Sequence, residues 1–227
     1  MTAPRLDRGY LAPDVPSPVR FAHTTIAQEL LAIADKPGFR ILEIGSRQVS
    51  SSYRLRDLLQ HAEYVGFDYY DGPNVDVAGD AHRLSELVEG QFDAVYSTAV
   101  FEHLAMPWVV VEEIAKVLKV GGHVFIETHF SFSSHERPWN FFQFSDMGLR
   151  ALFSPALGFE CVEASMDNPI VGRFSAFAAP YLRFQPVTGL YCHSLFVGRK
   201  ARDVPGFRWR DADVGEIVGA THYPPPQ

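Results

Sequence analysis

Carboxylates, small hydroxyls and a glycine recur at the carboxyl ends of short apolar runs in this chain. Glu43, Gly45, Ser46 and Arg47 close one such run, Asp68 and Tyr69 the next, Asp80 and Ala81 a third, and Ser97 and Thr98 a fourth. Open α/β sheets gather their ligands at those strand ends. Asp68 stands 23 residues after Gly45, near the ~20-residue offset at which an acid meets ribose hydroxyls in nucleotide-binding folds. Gly45 lets backbone approach a ligand closely. A second group is different in kind. His129, His135, Glu136, Arg137 and Trp139 crowd into the segment 128–144, and Glu102-His103 lies upstream. Imidazole, with an ordinary pKa of about 6.5, takes a proton at neutral pH. His135, His129 and His103, in that order, are therefore the candidate general bases.

The elements that must position these groups alternate between two periodicities. Ile26, Leu30, Ile33 and Ala34 predict a helix over 22–35, stopped by Pro37 and Gly38. Residues 39–44 predict a buried parallel strand. Ser50–Gln60 predicts a Ser-capped helix, 63–68 a second strand, 75–78 a short third, 84–89 a short helix and 92–97 a fourth strand. A helix from Pro107 to Lys119 follows, ended by Gly121-Gly122. Strand 123–128, a helix 145–153, and strands 159–164 and 190–198 complete the series. The last two strands are joined by a Phe-, Pro- and Gly-rich stretch without helical period, which favours an antiparallel pairing. The pattern is an α/β fold, with a mostly parallel sheet, helices on both faces and one antiparallel strand near the C-terminal edge. Residues 1–20, with four prolines, read as an extended arm, 21–200 as a single domain, and 201–227 as a Pro-rich, loosely ordered tail.

Composition excludes several classes. The net charge of −7 comes without any Lys/Arg run, so no nucleic-acid partner is expected. No stretch reaches the roughly 20 apolar residues of a membrane span, and residues 1–20 lack the apolar core of a signal peptide. Cys161 and Cys192, outside any CxxC pattern, read as buried thiols in a reducing cytoplasm.

Taken in order, the segments 41–47 (ILEIGSR), 66–68 (GFD), 75–82 (VDVAGDAH), 92–98 (FDAVYST), 102–104 (EHL) and 117–122 (VLKVGG) resemble the class I SAM-dependent methyltransferases of the type 11 group. The resemblance covers about residues 40–199. It implies a Rossmann-like methyltransferase sheet and S-adenosylmethionine (SAM) as cofactor. It implies that Glu43 holds the methionine part, with Gly45, Ser46 and Arg47 beside it. Asp68 would take the ribose hydroxyls, Asp80 the adenine amino group and the Ala81 N–H the ring. Tyr69 or Leu84 would pack on the purine, and Ser97 and Thr98 would close the site. Arg47 and Val49 stand where the second and third glycines of the first motif usually fall. This disfavours an NAD-type oxidoreductase, whose pyrophosphate needs those glycines.

The expected activity is O-methylation of a small molecule or sugar, assisted by a histidine base. Two alternatives remain open: an N-methyltransferase of a small amine, and a non-catalytic SAM-fold binding partner. His129, His135, Glu136 and Glu102 are of the residue types that hold a divalent ion, but their spacing matches no standard metal signature and no metal is assigned. The apolar stretch 170–184 reads equally as a pocket lid, a homodimer contact or a core-covering loop.

Overall fold

A computed structural model describes residues 8–49 and 54–219. The elements in chain order are α1 (Ile26–Ala34), β1 (Arg40–Ile44), β2 (Glu63–Asp68), β3 (Val77–Ala78), α2 (Leu84–Leu87), β4 (Phe92–Thr98), α3 (Pro107–Val117), β5 (Leu118–His129), α4 (Asp146–Leu152), β6 (Phe159–Pro169), β7 (Gly172–Arg173), β8 (Pro186–Val187), β9 (Tyr191–Lys200) and α5 (Val214–Val218). Seven strands form one sheet in the order β3-β2-β1-β4-β5-β9-β6. β1 through β5 pair in parallel, and β9 lies antiparallel between β5 and β6. Strand order reverses between β1 and β4, the switch point where this architecture opens a crevice. A smaller sheet pairs β7 with β8.

The central strands are apolar on both faces because both are covered. On one face Phe21, Ile26, Leu30, Tyr96, Phe125 and Leu195 pack under α1. On the other, Phe101, Val110, Ile114, Leu149, Phe153 and Phe196 pack under α3 and α4. Period-2 alternation along β5 then sends Phe125, Glu127 and His129 toward the α1 face, so two polar groups end an apolar row.

Several expected boundaries move. Ser50, the expected cap of the helix 50–60, lies outside the described residues. Leu55–Leu58 forms one 3-10 turn with extended backbone at Arg54 and Leu59, so no α-helix follows. The third strand is only Val77–Ala78. α3 ends at Val117 and β5 begins at once, ahead of the glycine pair. Gly121, at φ 88°, instead turns the chain inside β5, where the register against β4 shifts. The end of α3 is satisfied by the buried Lys200, whose Nζ donates to the carbonyls of Ala115 (2.5 Å) and Leu118 (2.8 Å). Cys161 is exposed and Cys192 half-buried, both free. Neither is the core thiol expected, because β6 is an edge strand and Cys161 sits next to its register shift. In the segment read as a tail, the Trp209 ring N–H donates to the Trp108 carbonyl (3.4 Å).

Candidate active site

The loops after β1, β2, β3 and β4 open onto one cavity of about 930 Å³, near the upper end for small-molecule sites (roughly 300–1,000 Å³). Glu43, Gly45, Ser46, Arg47, Asp68, Tyr69, Asp80, Ala81 and Thr98 all line it. Ser97 does not. It sits inside β4, fully buried, with its hydroxyl unpartnered. Leu84 is likewise fully buried in the core and away from the cavity, which leaves Tyr69, half-exposed at the rim, as the ring available to a purine.

Backbone geometry shapes the first loop. Gly45 has φ 86°, and a Cβ there would stand 2.2 Å from Val100 Cγ2. Any other residue would be strained and would push the β4 loop. Asn74 donates from its amide to the Ser46 carbonyl (2.8 Å) and to the Tyr64 hydroxyl (3.1 Å), and Tyr64 donates to Glu43 Oε2. Burial pushes the Glu43 carboxyl upward, with the Tyr64 bond and the Arg56 charge pulling against it. Burial and the adjacent Glu43 push the Tyr64 hydroxyl far up. Asp68 is engaged from inside the protein. The backbone N–H of Arg47 and Tyr70 donate to it (3.2 and 3.1 Å), and the Arg47 guanidinium lies at 3.3 Å. A carboxylate has about four lone-pair sites, so capacity remains for ligand hydroxyls. Asp80 accepts from the His82 N–H (3.0 Å), and the His82 ring stands at 2.6 Å. Because His82 Nε2 accepts from the Met106 N–H (3.2 Å), its Nδ1 must carry the proton given to Asp80. Burial works to raise the Asp80 carboxyl, but these bonds outweigh it and hold it low.

At the opposite end five histidines run ring to ring. His23 and His193 stack at 4.5 Å, His193 and His129 lie 5.4 Å apart, His129 and His135 5.4 Å, and His135 and His103 4.8 Å. His103 lines the cavity, whereas His129 and His135 stand behind it. His103 Nδ1 faces the Trp139 carbonyl at 2.5 Å, which fixes that nitrogen as the donor and leaves Nε2 with the lone pair. His135 Nδ1 faces the Ser133 carbonyl at 2.9 Å, with the same result. Fully buried Glu102 accepts from the Thr128 hydroxyl (2.6 Å). Its other oxygen lies 2.6 Å from His129 Nδ1, in a contact too bent to count as a hydrogen bond. Burial pushes Glu102 up, but the His129 and Thr128 contacts prevail and hold it low.

His23, His193 and Glu127 had no motif to announce them. Glu127 is buried on the cavity wall, and His23 Nδ1 stands 2.9 Å from it. Burial pushes Glu127 upward. Burial, reinforced by the neighbouring His23 and His129, pushes His193 down to about 4. A carboxylate inside the apolar run 124–128 was the available signal. His193 becomes visible only through its register opposite His129. No residue of 170–184 lines the cavity, although Phe177, Tyr181 and Phe184 are exposed.

Residues 42–126 match the model of the family described as a methyltransferase domain. This stretch of the chain thus carries a methyltransferase-domain match. No curated relative matches the sequence. Among solved structures, the chain is similar to 1,6-didemethyltoxoflavin-N1-methyltransferase of Burkholderia thailandensis, bound to 1,6-didemethyltoxoflavin and S-adenosylhomocysteine. The identity is 14%, with 78% of this chain and 76% of that chain covered and a TM-score of 0.55. It is also similar to TehB of Haemophilus influenzae (16%, 78% and 62% covered, TM-score 0.52). It thus spans less than two thirds of TehB. Magnesium protoporphyrin IX methyltransferase of Synechocystis, with bound SAM, is a third (14%, 78% and 77% covered, TM-score 0.50). At these identities the likeness concerns the fold, which is the Rossmann-like methyltransferase sheet. The donor set suits SAM, the cofactor implied by the sequence resemblance. Asp68 and Asp80 offer carboxylates on the cavity wall suited to accept from a nucleoside's hydroxyls and amine. Among the described residues no helix is long and apolar enough to cross a membrane.

Proposed function

We propose that this chain methylates the hydroxyl of a small-molecule or sugar acceptor, that residues 21–200 form the catalytic domain, and that His103 takes up the acceptor's proton. One observation carries the reading. A single cavity joins the residues expected to hold the nucleoside to a histidine whose tautomer is set by a backbone carbonyl, and of the three candidate bases His103 alone lines it. This ranks His103 ahead of His135 and His129. When bound, SAM supplies a methyl group on a sulfonium whose leaving group needs no further help. Asp68, Asp80, the Ala81 N–H and Glu43 would hold and orient it. Tyr69 and Trp139, with ring centroids 5.8 Å apart at the rim, would exclude water. His103 Nε2 would hold the hydroxyl proton as the new bond forms. A small amine is the second reading, favoured by the buried Glu127 carboxylate, which no Lys or Arg pairs with among the described residues. The two free cysteines fit a reducing compartment such as the cytoplasm.

The test is calorimetry with SAM, followed by turnover of wild type and His103→Ala against panels of hydroxyl and amine acceptors. Turnover should fall about 10²–10⁴-fold in the variant, with SAM affinity unchanged. Undiminished turnover in His103→Ala would remove it as the base.

A further inference from the structure

At the cavity wall marked by His103, three side chains from two loops turn donor atoms toward one another. Glu102 and His103 belong to the turn after β4, and His135 to the loop after β5. Their donor atoms all lie within 4.8 Å of one another. Glu102 Oε1 is 3.9 Å from His103 Nε2, and Glu136 Oε2 approaches the same nitrogen at 3.7 Å. Donors bound at about 2.1 Å to one ion sit no more than roughly 4.2 Å apart, so a small shift of His135 closes the set.

Three further features distinguish this cluster from an ordinary polar patch. Both imidazoles give Nδ1 to a backbone carbonyl, His103 to Trp139 and His135 to Ser133. That is the outer-shell arrangement that fixes the tautomer of a metal-binding histidine. The rings meet edge to face at 85°, so lone pairs lying in the two ring planes can converge. Of the two other clusters among the described residues, that of His129, Cys192 and His193 has no carboxylate, and that of His23, Glu127 and His193 fails on this point. Its two rings stack at 15°, and in-plane lone pairs of stacked rings run side by side. Finally, Glu102 is fully buried, its Oε1 lies 2.6 Å from His129 Nδ1 in a contact that misses hydrogen-bond geometry, and no Lys or Arg pairs with it among the described residues. A buried carboxylate needs a compensating cation, and the nearby side chains that bring one are histidines.

We propose that Glu102, His103 and His135 bind a divalent transition-metal ion, with Glu136 as a further oxygen donor and an open position toward the cavity. Imidazole and carboxylate donors suit zinc, iron and nickel better than calcium or magnesium. The ion deepens the proposed function, and this part rests on that reading. With metal bound, His103 is a ligand, and an acceptor hydroxyl on the open position is acidified by the ion, as metal-bound water is. With the site empty, His103 Nε2 is the free base. The ion would also tie the loop after β5 to the turn after β4.

The test separates metal binding from methyl transfer. Protein freed of metal with a chelator is titrated calorimetrically with ZnCl₂, and separately with MnCl₂, without SAM or acceptor. One ion should bind per chain. His135→Ala, a change in a half-exposed loop residue, should weaken binding at least about tenfold, with its melting curve checking that it folds. His23→Ala should bind as wild type does. No zinc binding by wild type, or binding that survives His135→Ala and falls in His23→Ala, overturns the site. SAM titrated into the same metal-free protein reports on the methyltransferase reading independently, because the cofactor residues lie at the other end of the cavity. Where metal binds but turnover is the same with and without it, the open position has no catalytic part, and that portion of the proposal falls.

Discussion

The two ends of the cavity are built on different principles. At the proposed cofactor end each group lies at, or within a few residues of, the end of the strand that carries it, and local backbone places it. Gly45 turns at φ 86°, Asp80 caps the turn at Ala81–Arg83, and Asp68 is held by the N–H groups of Arg47 and Tyr70. At the acceptor end, groups remote in sequence are assembled by strand pairing. His193 meets His129 across β5 and β9, His23 reaches Glu127 from before α1, and His103 meets His135 across two loops. Local construction suits a ligand shared by a whole fold class. Assembly from distant segments lets one end vary while the other is kept.

Substitutions can break this contrast, and the largest effect should be at Asp68. Asp68→Ala removes charge-assisted hydrogen bonds, commonly about 1.5–3 kcal/mol each, so SAM should bind about 10–100-fold more weakly by calorimetry. The fold should persist, with a modest fall in melting temperature because the N–H groups of Arg47 and Tyr70 lose their acceptor. Unchanged affinity would move the nucleoside away from β2. Gly45→Ala tests whether the cofactor end depends on backbone shape. Its Cβ would meet Val100 Cγ2 at 2.2 Å in a left-handed conformation, at a cost of about 1–3 kcal/mol in denaturant unfolding. A wild-type unfolding midpoint with full SAM affinity would show that the turn tolerates a side chain.

The smallest effect probes the acceptor end through pH. His193 has a folded pKa lowered to about 4, chiefly by burial, from an ordinary 6.5. Between those values the unfolded chain binds a proton that the folded chain resists. Stability is therefore full above about pH 6.5 and declines as pH falls toward 4. Melting of wild type and His193→Gln over that window should show a shallower decline in the variant. Parallel curves would mean that His193 takes no part in the pH response.

The same contrast explains what was legible in the sequence. Parallel strands, their order of appearance and the strand-end carboxylates are periodic or local, so the α/β fold could be read from spacing, and the residues expected to hold a cofactor, Ser97 and Leu84 excepted, line one cavity. Ser97 misled because a one-residue change along a strand turns a side chain from the strand's end into its core. The helix expected at 50–60 misled because a Ser cap and leucine spacing state a propensity, while Arg54 and Leu59 are extended in the fold. Gly121-Gly122 reads as a helix stop by its chemistry, yet Lys200 satisfies the end of α3 from across the chain. His23, His193 and Glu127 could not be ranked before strand register was known, since their significance lies only in one another.

The placement of β9 has a consequence for synthesis. β9 ends at Lys200 and is the last of the described strands to be made, yet it lies inside the sheet between β5 and β6. Until it emerges from the ribosome, the edge of β5 has no neighbour and Phe125 and Ile126 lack the strand that completes their covering. A nascent chain stopped before residue 191 would already hold the strands that shape the cofactor end, but it would expose an unpaired strand edge of the kind that recruits other chains. Translation pausing in 170–190 should thus be the moment of greatest aggregation risk, and ribosome-stalled chains of increasing length, scored for protease resistance, should gain protection sharply only once β9 is free to insert.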